Sequence, residues 1–212
     1  MLSSTALLAI GFMLGMRHAL DPDHVVAVTT IVSREQSFRR AQMIGAMWGI
    51  GHSATVFLVG GTIAAFRVVV PPNLALALEM CVAIMLIGLG IANLRAKSTV
   101  ERVGNARPLT VGFVHGLAGS AFAAVLISST ISEPWLASWY LFLFALGTIG
   151  GMMLLTSAIA MPAIYLTGRY ADARHYLRFA SGVASVAFGL LLAHQVGITE
   201  GLFGSAAGWV PR

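Results

Sequence analysis

The sequence predicts an all-α polytopic membrane protein with six transmembrane helices, arranged as two inverted three-helix repeats. Three observations predict this fold class. Hydrophobic residues make up 58% of the 212 residues and charged residues only 10%, whereas soluble domains carry about a quarter charged residues. Six apolar segments are close to or above the length of about 20 residues that a helix needs to cross a bilayer. Glycine pairs recur at a nearly constant offset between the two halves of the chain.

The six predicted spans are joined by short polar connections, so we expect residues 1–212 to form a single transmembrane domain. The spans cover residues 4–32, 41–65, 74–94, 109–130, 136–162 and 177–198. The first is too long for one straight helix, and a polar motif lies at its centre. The net charge of +5 does not indicate nucleic-acid binding, because the basic residues lie in short loops between apolar segments.

Lysine and arginine are distributed unequally between the two sides of the predicted membrane domain. The loops after spans one, three and five contain ten of them: Arg34, Arg39, Arg40, Arg95, Lys97, Arg102, Arg107, Arg169, Arg174 and Arg178. The other side contains only Arg67 and Arg212. Cytoplasmic loops are the ones enriched in these residues. Both termini are therefore predicted to lie outside the cytoplasm, in a protein of the cytoplasmic (inner) membrane.

The internal repeat relates residues of about 4–94 to residues of about 109–198. "GFMLG" at 11–15 matches "GFVHG" at 112–116, Gly45 and Gly49 match Gly147 and Gly151, and Gly88 matches Gly189. Because each repeat holds an odd number of spans, the second must insert upside down relative to the first, a design typical of transporters. Small residues at this spacing are also ordinary features of helix packing in membranes, and the two interpretations are compatible.

The polar motif of the first span is "RHALDPDH", Arg17 to His24. Ionisable residues near the bilayer centre cost several kcal/mol, so they must pair, bind something or line water. Pro22 has no N–H and disfavours helical angles at Asp21, which predicts a break into two half-helices. Such a break at membrane depth is tolerated where the backbone is buried in protein or faces a cavity.

The side chains of this motif predict a metal site. Arg17 stands four residues before Asp21, so we expect it to neutralise that carboxylate. Asp23 is then left with His18 and His24. Two imidazoles and a carboxylate suit a first-row divalent ion such as nickel or cobalt, whereas magnesium or calcium would require more oxygen ligands.

The second span adds "WGIGHSATV", with His52 at a similar depth and the Ser53 hydroxyl beside it. We expect His52 to complete the metal site with His18, Asp23 and His24. The alternative is a buried polar network that only fixes helix packing. His115 lies in "GFVHG" of the second repeat and either gates the same cavity, contacts the ion from the opposite half, or is structural. Glu79 either reaches the external interface, which is the expected role, or attracts cations at the external mouth.

The motifs resemble those of the nickel/cobalt transporter (NiCoT) family. Its H-x4-D-H signature is met by His18, Asp23 and His24, and its glycine-histidine-serine element by Gly51, His52 and Ser53. The resemblance implies that these residues recognise the metal during translocation. Family members typically have about eight spans and a long cytoplasmic loop. This chain is more similar to the short, six-span urease-accessory type, which "VHGLAGSA" at 114–121 also resembles.

The predicted function is secondary transport of nickel or cobalt ions rather than enzyme catalysis. The sequence contains no Walker-type nucleotide-binding loop, and its single cysteine, Cys81, excludes an internal disulfide. We expect uptake by alternating access, with the metal ion as substrate, membrane lipid around the protein, no permanent cofactor, and homo-oligomerisation left open. The alternatives are a metal exporter of the same fold, a non-transporting accessory protein for maturation of a nickel enzyme, and an organic-solute exporter.

Overall fold

The chain folds into helices, and no strand occurs among the residues that the structure describes. A computed structural model describes residues 3–33, 35–62, 71–96, 104, 106–117, 130–170 and 172–204. The helices in chain order are α1 (Ser4–His18), α2 (Pro22–Val32), α3 (Phe38–Thr55), α4 (Pro72–Arg95), α5 (Ala106–Gly116), α6 (Pro134–Arg169) and α7 (Ala173–His194). Helices α3 and α7 continue as short π-helical segments, Val56–Gly60 and Gln195–Thr199.

Among the described residues, four helices are long and apolar enough to cross a membrane. They are Phe38–Gly60, Pro72–Arg95, Pro134–Arg169 and Ala173–Thr199. The expected first span is divided between α1 and the short apolar helix α2. The expected fourth span is described only through residue 117, and its residues 118–129 lie outside the described residues. The all-helical membrane architecture is therefore confirmed, and four of the six expected spans are single helices of sufficient length.

Proline begins three of these helices. Pro22, Pro72 and Pro134 each occupy the first helical turn of α2, α4 and α6, where the missing N–H costs nothing because that group has no intrahelical partner. Helix α1 is capped differently, by the Ser3 hydroxyl, which accepts a hydrogen bond from the Ala6 N–H at 3.2 Å.

The break at Pro22 forms as the sequence predicts. Asp21 has an extended conformation with φ −58° and ψ 142°, as expected for a residue before proline. The carbonyl of His18 cannot be served by Pro22 and instead accepts the Asp21 N–H at 3.1 Å, in a tight turn that ends α1. The C-terminal end of α1 and the N-terminal end of α2 consequently meet at the break, where His18, Asp23 and His24 lie close together.

Glycines bring two pairs of helices into backbone contact with parallel direction. Along α1 and α6, Gly11 lies against Tyr140 and Gly15 lies against Phe144. Along α3 and α5, Gly112 lies against Trp48. Further along the second pair, Gly116 meets the carbonyl of His52. In both pairs the residue numbers of the two helices therefore rise together, which means that the helices run parallel. These contacts set the depth of α5 against α3.

Two further pairs of helices pack in antiparallel direction. Between α3 and α6, Gly45 meets Thr156 whereas Gly49 meets Ile149. Helices α4 and α7 also pack closely, with Gly90 against the Gly182 carbonyl. The apolar core lies between these helices and α2, and the largest fully buried side chain in it is Trp48.

A buried polar contact fixes the C-terminal end of α2. The Asn93 amide of α4 donates to Ser33 Oγ at 3.1 Å and to Ser181 Oγ of α7 at 2.9 Å. Thr30 Oγ1 donates to the Ser181 carbonyl at 3.2 Å. These bonds tie α2 to both α4 and α7, so this half-helix is held at the end remote from the break.

Candidate metal centre

Four buried histidines from four helices converge at the break in the first span. His18 ends α1, His24 lies in the first turn of α2, and His52 and His115 lie in α3 and α5. His18 is 6% exposed, and the other three are fully buried. The chain has six histidines, and the remaining two, His175 and His194, are exposed on α7. The four histidines at the break are therefore buried together, whereas the two histidines elsewhere in the chain are exposed.

Three of these histidines form a first triad, His18, His24 and His52. Their nearest ring nitrogens all lie within 4.8 Å of one another. His18 Nε2 and His52 Nε2 are 3.0 Å apart, and the ring centroid of His24 lies 4.7 Å from that of His18 and 5.1 Å from that of His52. An ion that bound among these nitrogens would join α1, α2 and α3.

A second triad consists of Asp23, His24 and His115, and it shares His24 with the first. Its ligand atoms also lie within 4.8 Å of one another. Asp23 Oδ2 accepts a hydrogen bond from His115 Nε2 at 3.0 Å, and Asp23 Oδ1 lies 3.2 Å from His24 Nδ1. The His24 and His115 ring centroids are 4.2 Å apart. The second triad thus joins α2 to α5.

Asp21 orients His18 rather than pairing with Arg17. Its Oδ2 lies 2.8 Å from His18 Nδ1, so the Nδ1–H donates to the carboxylate and the lone pair of His18 stands on Nε2, facing the first triad. A carboxylate behind an imidazole is the usual arrangement at metal-binding histidines. Arg17 is exposed and forms no ion pair within the described part of the chain. The expected Arg17–Asp21 pair is therefore wrong.

Several buried nitrogens at this centre have no hydrogen-bond partner among the described residues. They are both ring nitrogens of His24, Nδ1 of His52, Nδ1 of His115 and Nε1 of Trp48. For His24 Nδ1, the 3.2 Å separation from Asp23 satisfies an ion-pair distance but not hydrogen-bond geometry. A buried polar group without a partner costs about 1–3 kcal/mol. Buried imidazoles with unpaired nitrogens, gathered in one cluster, are the arrangement expected of metal ligands.

Ser53 and Glu79, which the sequence also singled out, belong to neither triad. Ser53 Oγ donates a long, 3.4 Å bond to the Ala145 carbonyl of α6, so the hydroxyl links two helices. Glu79 is only 7% exposed within α4. The expectation that Glu79 reaches the interface is therefore wrong.

Sequence reasoning missed Trp48, which covers the centre from the side of α3. Its ring lies 5.8 Å from His115 and 6.5 Å from His24, centroid to centroid, and it is fully buried. The signal was present in the sequence, because Trp48 precedes His52 by four residues and so shares its helix face. The indole excludes water from the two triads on this side.

Comparison with known proteins identifies relatives of this chain. A family model described as high-affinity nickel-transport protein (NicO) matches residues 4–94, which contain His18, His24 and His52. The urease accessory protein UreH of Bacillus sp. (strain TB-90) is 34% identical over 217 residues, covering 93% of this chain and 95% of that protein.

The chain belongs to the NicO nickel-transport family. The resemblance indicated by its two motifs is thereby confirmed. A high-affinity nickel transport protein of Cupriavidus necator is also similar, at 42% identity over 64 residues, which are 30% of this chain and 18% of that protein. No solved structure matches the chain. Membership implies a nickel transporter or accessory role, not an enzyme, with the nickel ion as substrate rather than as a permanent cofactor.

The two aspartates of the motif should respond differently to neutralisation. Asp23→Asn removes a charged donor from the second triad, and we expect nickel uptake to fall by roughly 10–100-fold, the usual range for groups at metal sites. Asp21→Asn keeps an oxygen beside His18 Nδ1 on a side chain that is 40% exposed, so its loss should be several-fold smaller. Radiolabelled nickel uptake by cells that express each variant provides the comparison, and equal losses would contradict it.

Proposed function

We propose that the protein takes up nickel ions across the cytoplasmic membrane, using His18, Asp23, His24 and His52 to bind the ion in transit. The observation that carries this proposal is the first triad. Its three imidazoles come from three different helices and lie within 4.8 Å of one another. Buried polar groups at membrane depth are costly, and a shared dication offsets that cost.

The donor set suits nickel or cobalt. Imidazole nitrogens bind late first-row ions well, whereas magnesium and calcium require oxygen ligands. Asp23 supplies one negative charge, so the site is not purely neutral. Family membership supports nickel, and cobalt is the competitor to test. Copper cannot be rejected by the affinity order alone, so selection against it depends on geometry or on supply.

We further propose that the chain has six spans in two inverted repeats, the first of about 4–94 and the second of about 109–198. The pairing of helices supports this arrangement. Helix α1 packs on α6, and its counterpart in the second repeat, α5, packs on α3, the counterpart of α6. Both pairs are parallel. This is expected of an inverted repeat, because the symmetry that interchanges the two repeats turns the α1–α6 pair into the α5–α3 pair. The pairs α3–α6 and α4–α7 join counterparts to each other, in antiparallel direction.

Rocking of the two repeats about the buried site would give alternating access. The membrane potential supplies the energy. A dication moving inward gains about 4.6 kcal/mol per 100 mV, twice the roughly 2.3 for a single charge, which is about three powers of ten in concentration. The excess of lysine and arginine in the loops after spans one, three and five supports an arrangement with both termini outside, in which the broken first span enters from the external side.

Uptake of radiolabelled nickel into cells that express the protein tests the proposal. His18→Ala and His52→Ala each remove one member of the first triad, and we expect each to lower uptake by roughly tenfold or more, since each removes a ligand. His175→Ala is the matched control, because this exposed histidine lies outside both triads. Excess cobalt should compete if the site accepts both ions.

A non-transporting accessory role is the second candidate, favoured by the name of the relative from Bacillus, a urease accessory protein. The same uptake experiment distinguishes uptake, export and a non-transporting accessory role. Histidine-dependent accumulation indicates uptake, and histidine-dependent depletion indicates an exporter of the same fold. Accumulation that does not change with expression or with the His18 and His52 substitutions would leave the accessory role.

A further inference from the structure

We propose that the centre offers two alternative positions for the metal ion, one in each triad, and that the ion passes between them by exchanging ligands around His24. The first position is made by His18, His24 and His52, and the second by Asp23, His24 and His115. This inference rests on the proposed transport function. It adds a ligand, His115, and a step within the membrane.

His115 has the surroundings of a ligand. It is fully buried, its Nδ1 has no hydrogen-bond partner among the described residues, and its Nε2 lies 3.0 Å from the Asp23 carboxylate. It comes from α5, a helix that contributes nothing to the first triad. An ion in the second position would therefore bind α5, whereas an ion in the first position would bind α1 and α3.

His24 stands between the two positions. Its ring lies 4.7 Å from His18, 5.1 Å from His52 and 4.2 Å from His115, centroid to centroid. Both of its nitrogens lack hydrogen-bond partners within the described part of the chain. A neutral imidazole carries a proton on one nitrogen and a lone pair on the other. His24 can therefore serve one position at a time, and the two positions are occupied alternately by a single ion.

The transfer needs only a short movement. The ligand atoms within each triad lie within 4.8 Å of one another, and the two triads share a ring, so the ion exchanges His18 and His52 for Asp23 and His115 without losing His24. The exchange moves the bound ion from a set of ligands that includes the end of α1 to a set that includes α5. In the proposed inverted repeat these two helices are counterparts, so the exchange brings a ligand of the second repeat to an ion that the first repeat alone had held.

A purely structural role for His115 is the competing explanation, because its hydrogen bond also holds the Asp23 carboxylate. The two roles differ chemically. A positioning residue needs only an N–H donor, which glutamine supplies. A ligand needs a lone pair directed at the metal, which cysteine supplies and the glutamine amide supplies poorly.

Nickel binding to purified variants tests whether two positions exist. His52→Gln removes a ligand from the first position alone, and His115→Gln from the second alone. With one position left intact, we expect each single variant to lose less than about tenfold in affinity, and the double variant to lose about a hundredfold. A His115→Gln loss as large as that of the double variant would indicate one shared site and overturn the proposal. So would a double variant no weaker than His52→Gln.

Cobalt(II) spectroscopy tests ligation by residue 115 directly and does not depend on transport. In a Cys81→Ser background, which removes the single native cysteine, His115→Cys should give a thiolate-to-cobalt charge-transfer band, because a coordinating thiol is deprotonated by the metal. Ser53→Cys is the matched control: position 53 is also buried but faces α6, and it should give no band. The absence of the band in His115→Cys would overturn the proposal.

Uptake by the same variants completes the test. We expect His115→Gln to retain binding while nickel uptake falls by roughly tenfold or more, since a ligand of the second position is lost. Normal uptake by His115→Gln would contradict a transfer through the second position. If the wild-type protein shows no nickel uptake, the proposed transport function fails, whereas the binding cycle and the cobalt band still report whether the two positions exist.

Discussion

His24→Gln is expected to abolish nickel uptake and to weaken nickel binding more than any other single substitution in the centre. His24 is fully buried, and both candidate triads contain it. Its loss therefore removes a ligand from every position open to the ion, whereas loss of His52 or His115 leaves one triad complete. We expect affinity to fall by about a hundredfold, the upper end of the range for groups at metal sites. Equilibrium binding and radiolabelled uptake measure the two effects.

The control for this experiment is His194→Gln. His194 is exposed near the end of α7 and belongs to neither triad, so nickel binding and uptake should stay at wild-type values. Comparable expression and a single peak in size-exclusion chromatography establish that the His24 variant is folded. A folded His24→Gln protein that binds nickel as tightly as the wild type would contradict the assignment of both triads.

The second large effect is expected from Gly15→Val, which should prevent α1 from packing on α6. A Cβ at Gly15 would lie 2.9 Å from both the Phe144 carbonyl carbon and the Thr148 nitrogen, and closer still to the Phe144 carbonyl oxygen. These are backbone atoms, which cannot rotate aside as a side chain can. We expect a loss of about 3 kcal/mol or more, at the upper end for overpacked sites, measured as a lower thermal unfolding temperature in detergent.

Gly150→Val is the matched control on the partner helix. A Cβ at Gly150 would meet nothing within 4 Å among the described residues, and valine has a higher helix propensity than glycine in solution. Stability should therefore be unchanged or slightly raised. Because α1 carries His18 at its end, the Gly15 variant should also lose nickel uptake. Equal stability of the two valine variants would show that the close contact between α1 and α6 does not matter.

The break in the first span could be predicted because its cause is local. Pro22 lacks an N–H and restricts Asp21, and both effects act within a few residues. The structure has the break between His18 and Pro22, with Asp21 extended. The membrane class was equally predictable, since a composition of 58% hydrophobic residues cannot cover a surface that faces water. The first prediction depends on the sterics of adjacent residues and the second on composition, and neither requires knowledge of how the helices pack.

The partners of the motif's charged side chains could not be predicted in the same way. The i, i+4 spacing favoured Arg17 for Asp21, but that spacing assumes a continuous helix. Because α1 ends at His18, Asp21 folds back onto the His18 ring, and Arg17 remains exposed. A helix-based rule failed where the proline had removed the helix.

The sequence alone determined the class of the protein, the position of the broken helix and the identity of the residues in its motif, because composition and short-range sterics depend only on nearby residues. Tertiary structure decided that His115 meets Asp23, 92 residues away along the chain. It also decided that Trp48 lies against the rings of His24 and His115. The depth of α5 against α3 fixes these contacts, and it is set by backbone packing at Gly112 and Gly116. Helical periodicity gives the face on which a side chain lies but not the level at which two helices meet.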